Sequence, residues 1–85
     1  MRVIWTQHAT ERQQQWQKKL DISPAEVEAV VTNPGQIVPG DAGTFIAQTP
    51  RGNGLLRVAF SQLGDDRKIL TIYWTSRVAK YWKGE

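Results

Sequence analysis

The sequence predicts an α+β domain: two N-terminal helices packed on one face of a four-stranded antiparallel sheet, with a short C-terminal helix. Two observations predict it. Residues up to Thr32 carry helix-start signals and apolar positions at helical spacing. After Gly35 the pattern changes to short runs rich in β-branched and aromatic residues, separated by turn sequences. The 85 residues make one domain. A chain of this size buries roughly 60–65% of its unfolded surface, enough for one modest core.

The opening "MRVIW" reads as an extended segment, and Thr6 then reads as an N-cap. From Gln7 to about Lys19 the residues are mostly good helix formers without Gly or Pro. Ala9, Trp16 and Leu20 fall on one stripe of this helix, with His8, Arg12 and Trp16 on the neighbouring one. Gln13, Gln14, Gln15 and Gln17 are expected to face mostly outward. In "ISPAEV", Ser23 is the second N-cap, Pro24 sits at the first helical position and Glu26 completes a capping box. Ile22 and Val27 occupy the staple positions, and Val27, Val30 and Val31 form a short apolar face. "TNPG" ends this helix, because Pro34 disfavours helical backbone at Asn33.

Four extended runs follow: "QIV", "TFIAQ", "LLRVAFSQ" and "RKILTIYW", divided by "PGDAG", "PRGNG" and "LGDD". Alternation puts Leu56, Val58 and Phe60 on one face of the third run, with Leu55, Arg57, Ala59 and Ser61 on the other. In the fourth, Leu70, Ile72 and Trp74 oppose Ile69, Thr71 and Tyr73. The tail "TSRVAKYWKGE" predicts a short helix starting at Thr75 or Ser76, with Val78, Tyr81 and Trp82 packing back. The sheet face away from the helices then carries Arg57, Thr71 and Tyr73.

Composition excludes several functions. There is no cysteine, hence no disulfide and no zinc–thiolate site. One histidine cannot supply a typical transition-metal ligand set without several carboxylates, and the carboxylates are scattered. "RGNG" contains G-x-G but precedes a strand, so it reads as a hairpin turn and not a nucleotide loop. No cofactor is expected. "MRVIWTQH" lacks an apolar stretch of signal-peptide length, and no run is long enough to cross a bilayer, which fits a cytoplasmic protein.

The net charge of +3 is unevenly placed: residues 1–50 hold four basic and five acidic side chains, residues 51–85 seven and three. A basic C-terminal half points mildly to polyanions. One His, several Arg and Lys, and the hydroxyls of Thr71, Tyr73, Thr75 and Ser76 suit metal-independent RNA cleavage. That reaction needs a proton acceptor for the ribose 2′-OH, a donor for the leaving 5′-oxygen, and cations around the phosphorane. Histidine titrates near neutrality and arginine contacts phosphate bidentately.

"HATER", "ISPAEVEAVVTNPGQIVPGD", "LLRVAF" and "ILTIYWTSRVAKYW" together resemble a family of small bacterial proteins of unknown function. Its members carry an H-A-x-x-R start, a helix ending in N-P and a closing T-x-Y-x-T-S segment. The likeness runs from about Trp5 to Trp82. The chain differs where the family often has charged residues between its first two helices and this sequence has "QQQWQKK". The family is grouped with the barnase, colicin-nuclease and RelE-like fold, many of whose members are RNases, some of them toxins neutralised by a co-encoded antitoxin.

The expected function is therefore a toxin-like RNase. His8 is the expected general acid or base, Arg12 and Arg57 the phosphate-holding residues, and Thr71 and Tyr73 the orienting hydroxyls. Arg67, Arg77 and Lys80 are the nucleic-acid-binding candidates. The expected partners are RNA and a small acidic antitoxin-like protein. A non-catalytic module binding nucleic acid or protein on the same fold is the alternative.

Overall fold

A computed structural model describes residues 1–84. The elements run β1 (Val3–Trp5), α1 (Gln7–Leu20), α2 (Pro24–Thr32), β2 (Gln36–Pro39), β3 (Phe45–Arg51), β4 (Gly54–Leu63), β5 (Asp66–Thr75) and α3 (Val78–Tyr81). The fold is α+β, but the sheet has five strands and is mixed, in the order β1-β5-β4-β3-β2. The extra strand is "VIW", which pairs parallel with β5 through Val3↔Arg67, Ile4↔Lys68 and Trp5↔Ile69. Three residues are too few to show alternation, and the partner lies at the far end of the chain. The expectation of four antiparallel strands is corrected by this long-range parallel pairing.

Local signals account for the helices. The Thr6 hydroxyl accepts from Ala9 N–H at 3.1 Å and donates to the Ile69 carbonyl at 2.9 Å, so one residue caps α1 and ties it to β5. Ser23 caps α2 by accepting from Glu26 N–H at 3.1 Å. The return half of a capping box is not made, because the Glu26 carboxylate turns instead to Arg51 at 2.9 Å. α1 ends at Asp21, whose left-handed backbone (φ 59°) lets its N–H reach back to the last turn.

The main core lies between the helices and one sheet face. Ala9, Ile22, Val27, Val30 and Val31 meet Ala47, Leu56, Val58, Phe60, Ile69 and Ile72, all buried. Gln13 belongs to this buried stripe too, against the expectation that it faces outward. It is 3% exposed and donates to the Ile22 carbonyl and to Gln17, each at 2.9 Å. Its position four after Ala9 set its direction, and its polar end found partners there.

β3 and β4 pair antiparallel across a turn in which Gly52 takes φ 63°. β4 and β5 pair antiparallel, with Arg57↔Tyr73 and Ala59↔Thr71 followed by Phe60↔Ile69. Leu70 is thus an extra residue in β5, a bulge. Strict alternation places Ile69 opposite Ile72. The bulge turns Ile69 into the core beside it and leaves Leu70 half-buried. From Thr71 onward the alternation holds, so Thr71 and Tyr73 stay on the Arg57 face. That second face buries Leu55, Gln48 and Val38 outside the main core, and the C-terminal segment lies across it. Tyr81 and Trp82 are half-buried there, whereas Val78, expected to pack back, is 38% exposed.

Candidate functional site

α1 follows β1 directly and runs beside β5, where Thr6 takes the Ile69 carbonyl and Trp16 Nε1 donates to the Ile72 carbonyl at 2.9 Å. Two anchored turns leave His8 at the sheet edge. Its Nε2 lies 3.3 Å from the Thr71 hydroxyl, the ring tautomer deciding which of the two donates. His8 is exposed and Thr71 half-buried. A proton-transfer group thus stands in solvent with one nitrogen oriented by a strand hydroxyl.

Tyr73 follows two residues after Thr71 on the same face, about 7 Å along the strand. Its cross-strand partner is Arg57. The Arg57 Nη1 donates to the Tyr73 hydroxyl, and Nε donates to Gln48 Oε1 at 2.9 Å. The Tyr81 ring covers the guanidinium, its centre 3.9 Å from the Arg57 Cζ. Arg57 is 4% exposed, yet neither ion pair among the described residues, Arg2–Asp66 or Arg51–Glu26, involves it. Nη2 hydrogen-bonds to no described residue. No side-chain nitrogen or oxygen of the described residues is both buried and without a partner.

A buried charge is costly unless paired or bonded. Here hydrogen bonds and an aromatic face hold the cation while leaving its charge uncompensated by any described carboxylate. Burial, opposed in part by the Arg57 charge, raises the Tyr73 pKa above its ordinary 10.0. Tyr73 therefore remains a neutral hydroxyl at physiological pH. Its oxygen accepts from Arg57, and the neighbouring Tyr81 hydroxyl adds to the upward shift.

The other candidates are placed apart from this cluster. Arg12 stands one turn after His8, and its Nη1 donates to Gln15 at 3.1 Å with no hydrogen bond to the sheet. Arg67 sits over the Phe60 ring at 4.9 Å and donates to the Val31 carbonyl at 2.8 Å, on the helix side of the sheet. Arg77 is exposed ahead of α3. Lys80 is exposed as well, its ammonium 5.1 Å from the Tyr81 ring centre, beside the Arg57 cover.

Three site residues escaped the sequence reading: Gln48, Gln36 and Tyr81 as a cover for Arg57. Gln48 donates from Nε2 to Gln36 Oε1 and to the Tyr81 carbonyl, each at 2.9 Å. Gln36 Oε1 in turn accepts from Lys83 N–H at 3.1 Å. The signal was the mid-strand glutamine of "TFIAQ", which becomes informative only once register sets it opposite Arg57.

A separate open cleft of about 210 Å³ lies between α2 and β3, with Val30, Pro50 and Leu56 in its lining and the Glu26–Arg51 pair beside them. Among the described residues no three His, Cys, Asp or Glu side chains gather in a metal-binding group, and no helix is long and apolar enough to cross a membrane. No protein-family model, no curated protein and no solved structure matches the chain.

Proposed function

We propose that this chain is a metal-independent endoribonuclease of toxin-like character, acting on the sheet face that carries His8, Thr71, Tyr73 and Arg57. One observation carries the reading. His8 reaches Thr71, and Arg57 reaches Tyr73, the next residue on that face of β5. A proton-transfer group and a cation with uncompensated charge are thus tied to alternate residues of one strand.

In this reading His8 Nε2 stays on the Thr71 hydroxyl and Nδ1 takes the ribose 2′-OH proton as the 2′-oxygen attacks phosphorus. The bond to the 5′-oxygen breaks, and that oxygen takes a proton from water. The products are a 2′,3′-cyclic phosphate and a 5′-hydroxyl. Arg57 Nη2 and the Tyr73 proton meet the non-bridging oxygens as charge develops. Thr71 holds the imidazole in place, and Arg12 and Lys80 steer the polyanion from the flanks. The sequence resemblance to a small bacterial family grouped with the RelE/barnase-like fold supports the same reading and a small acidic antitoxin-like partner, and a cytoplasmic site of action belongs to the same proposal.

The test is to incubate purified wild type and His8→Ala with single-stranded RNA in the presence of a chelator, and to follow cell growth on expression of each. Fragments ending in cyclic phosphate with wild type only are the expected result. Equal RNA loss with both proteins removes His8 from the mechanism. The near-complete burial of Arg57 beneath Tyr81 favours a second reading, a binding module without catalysis. Binding of RNA by folded wild type without cleavage selects it.

A further inference from the structure

Arg57 is held by groups that orient it without neutralising it. The residue directly opposite it in β3 is Gln48, which is fully buried. A buried arginine ordinarily meets a carboxylate at such a position, since a bidentate ion pair offsets its desolvation. Gln48 offers a carbonyl oxygen instead. Its amide orientation is fixed, because Nε2 donates to Gln36 Oε1 and to the Tyr81 carbonyl, which turns Oε1 toward Arg57 Nε. An amide reversed end for end would set its oxygen against two other oxygens. The remaining contacts of Arg57 are the Tyr73 hydroxyl and the Tyr81 ring face.

We propose that Gln48 is the positioning residue of a phosphate-binding site, fixing the Arg57 guanidinium while leaving its charge free for an anionic ligand at Nη2. The inference rests on the reading of Arg57 as a phosphate-holding residue. It adds that the neutrality of residue 48, and not its hydrogen bonding alone, sets the affinity. The ligand class is a tetrahedral oxyanion, free phosphate or the phosphodiester of RNA, which accepts from Nη2 and from the Tyr73 hydroxyl.

Gln48→Glu keeps the side-chain shape and converts the Arg57 contact into an internal ion pair. Gln48→Leu keeps neutrality and volume and loses all three hydrogen bonds. The full chain is labelled with ¹⁵N and the Arg57 Nε–Hε resonance is followed during titration with inorganic phosphate. The expected result is a saturable shift in wild type, weakened in Gln48→Leu by the loss of positioning and weakened further, at least about tenfold below wild type, in Gln48→Glu. A merely structural glutamine gives the reverse order, because only the glutamate still pairs with Arg57. That order overturns the proposal, as does a wild-type resonance indifferent to phosphate.

Should Gln48→Glu fail to fold, thermal unfolding of wild type and Arg57→Gln decides. Phosphate must raise the wild-type midpoint above its value in chloride of equal ionic strength by more than it raises that of the variant. Equal rises overturn the proposal. RNA cleavage on the same samples separates the two claims. Phosphate binding in the expected order without cleavage leaves this site standing and removes the nuclease reading. Cleavage with Arg57 indifferent to phosphate does the opposite.

Discussion

The His8 imidazole and the Thr71 hydroxyl meet at 3.3 Å across the junction of α1 and β5, two elements separated by half the chain. The contact exists because Thr6 and Trp16 fasten α1 to the β5 carbonyls of Ile69 and Ile72 on either side of it. His8 itself is exposed, so its loss opens no cavity. His8→Ala should lower RNA cleavage by about 10²–10⁴, the usual worth of a positioned proton-transfer group. Stability should change by no more than about 0.5 kcal/mol. Gel analysis of a labelled oligonucleotide, with urea unfolding as the control, checks both. Thr71→Val should cost less activity, because it frees the ring without removing it.

Arg57 gives a different signature, since its role is charge. Arg57→Gln should make the dependence of log K for single-stranded RNA on log salt shallower by about 0.7, the value of one lost phosphate contact. Anisotropy titrations over a range of chloride concentrations measure it. An unchanged slope would mean that the guanidinium never meets the backbone, and that its burial beneath Tyr81 is purely structural.

These residues differ in how legible they were. Thr6 and Ser23 announced their helices, and the alternation of "LLRVAF" put Arg57 on the correct face, because capping and pleat are local rules. The parallel pairing of β1 with β5 joins residues at opposite ends of the chain, and the Leu70 bulge is a shift of register against β4, so the alternation within one strand contains neither. Ile69 was assigned the wrong face for that reason alone. Gln13 and Gln48 escaped differently: Gln13 was expected to face outward and Gln48 was given no role, yet each lies on a buried face whose backbone and side-chain acceptors satisfy its amide. His8 was visible as the sole histidine. Its partner Thr71 was visible only as a strand hydroxyl, because their meeting is a tertiary fact.

Tyr73 makes stability depend on alkaline pH. Burial raises its pKa in the folded chain above the ordinary 10.0. Below that value folded and unfolded chains both hold the proton, and the group adds no pH dependence. Above it the unfolded chain ionises first, so its contribution to stability is lost as pH rises through the folded-state value. Denaturation midpoints between about pH 9 and 11 should therefore fall more steeply for wild type than for Tyr73→Phe. Identical slopes would place the phenol in contact with bulk water.

Gly54 is required by a neighbour and not by a turn. A Cβ at this position would strike the Thr75 carbonyl oxygen and the Trp74 ring. That ring is itself pinned, since its Nε1 donates to the Arg51 carbonyl at 2.9 Å. Gly54→Ala should destabilise by about 1–3 kcal/mol through overpacking, read as a lower urea midpoint. Wild-type stability in this variant would show that both the β5 backbone at Thr75 and the Trp74 indole can move aside.

Arg67 separates a basic residue that serves the fold from one that serves a ligand. Its guanidinium donates to the Val31 carbonyl at the C-terminal end of α2, donates to Gln62 at 3.0 Å and lies over Phe60. The first contact satisfies a helix-end carbonyl and places positive charge at the negative end of the helix dipole. Arg67→Ala should therefore cost about 1–3 kcal/mol of stability and leave the salt slope of RNA binding unchanged. Arg77→Ala, at an exposed position, should stay within about 0.5 kcal/mol of wild type. A shallower salt slope in folded Arg67→Ala would move the RNA footprint from the Arg57 face to the helix side of the sheet. Because Arg57 and Arg67 lie on opposite sides of one sheet, a single short RNA cannot lose contacts to both, and the two slopes together assign the face.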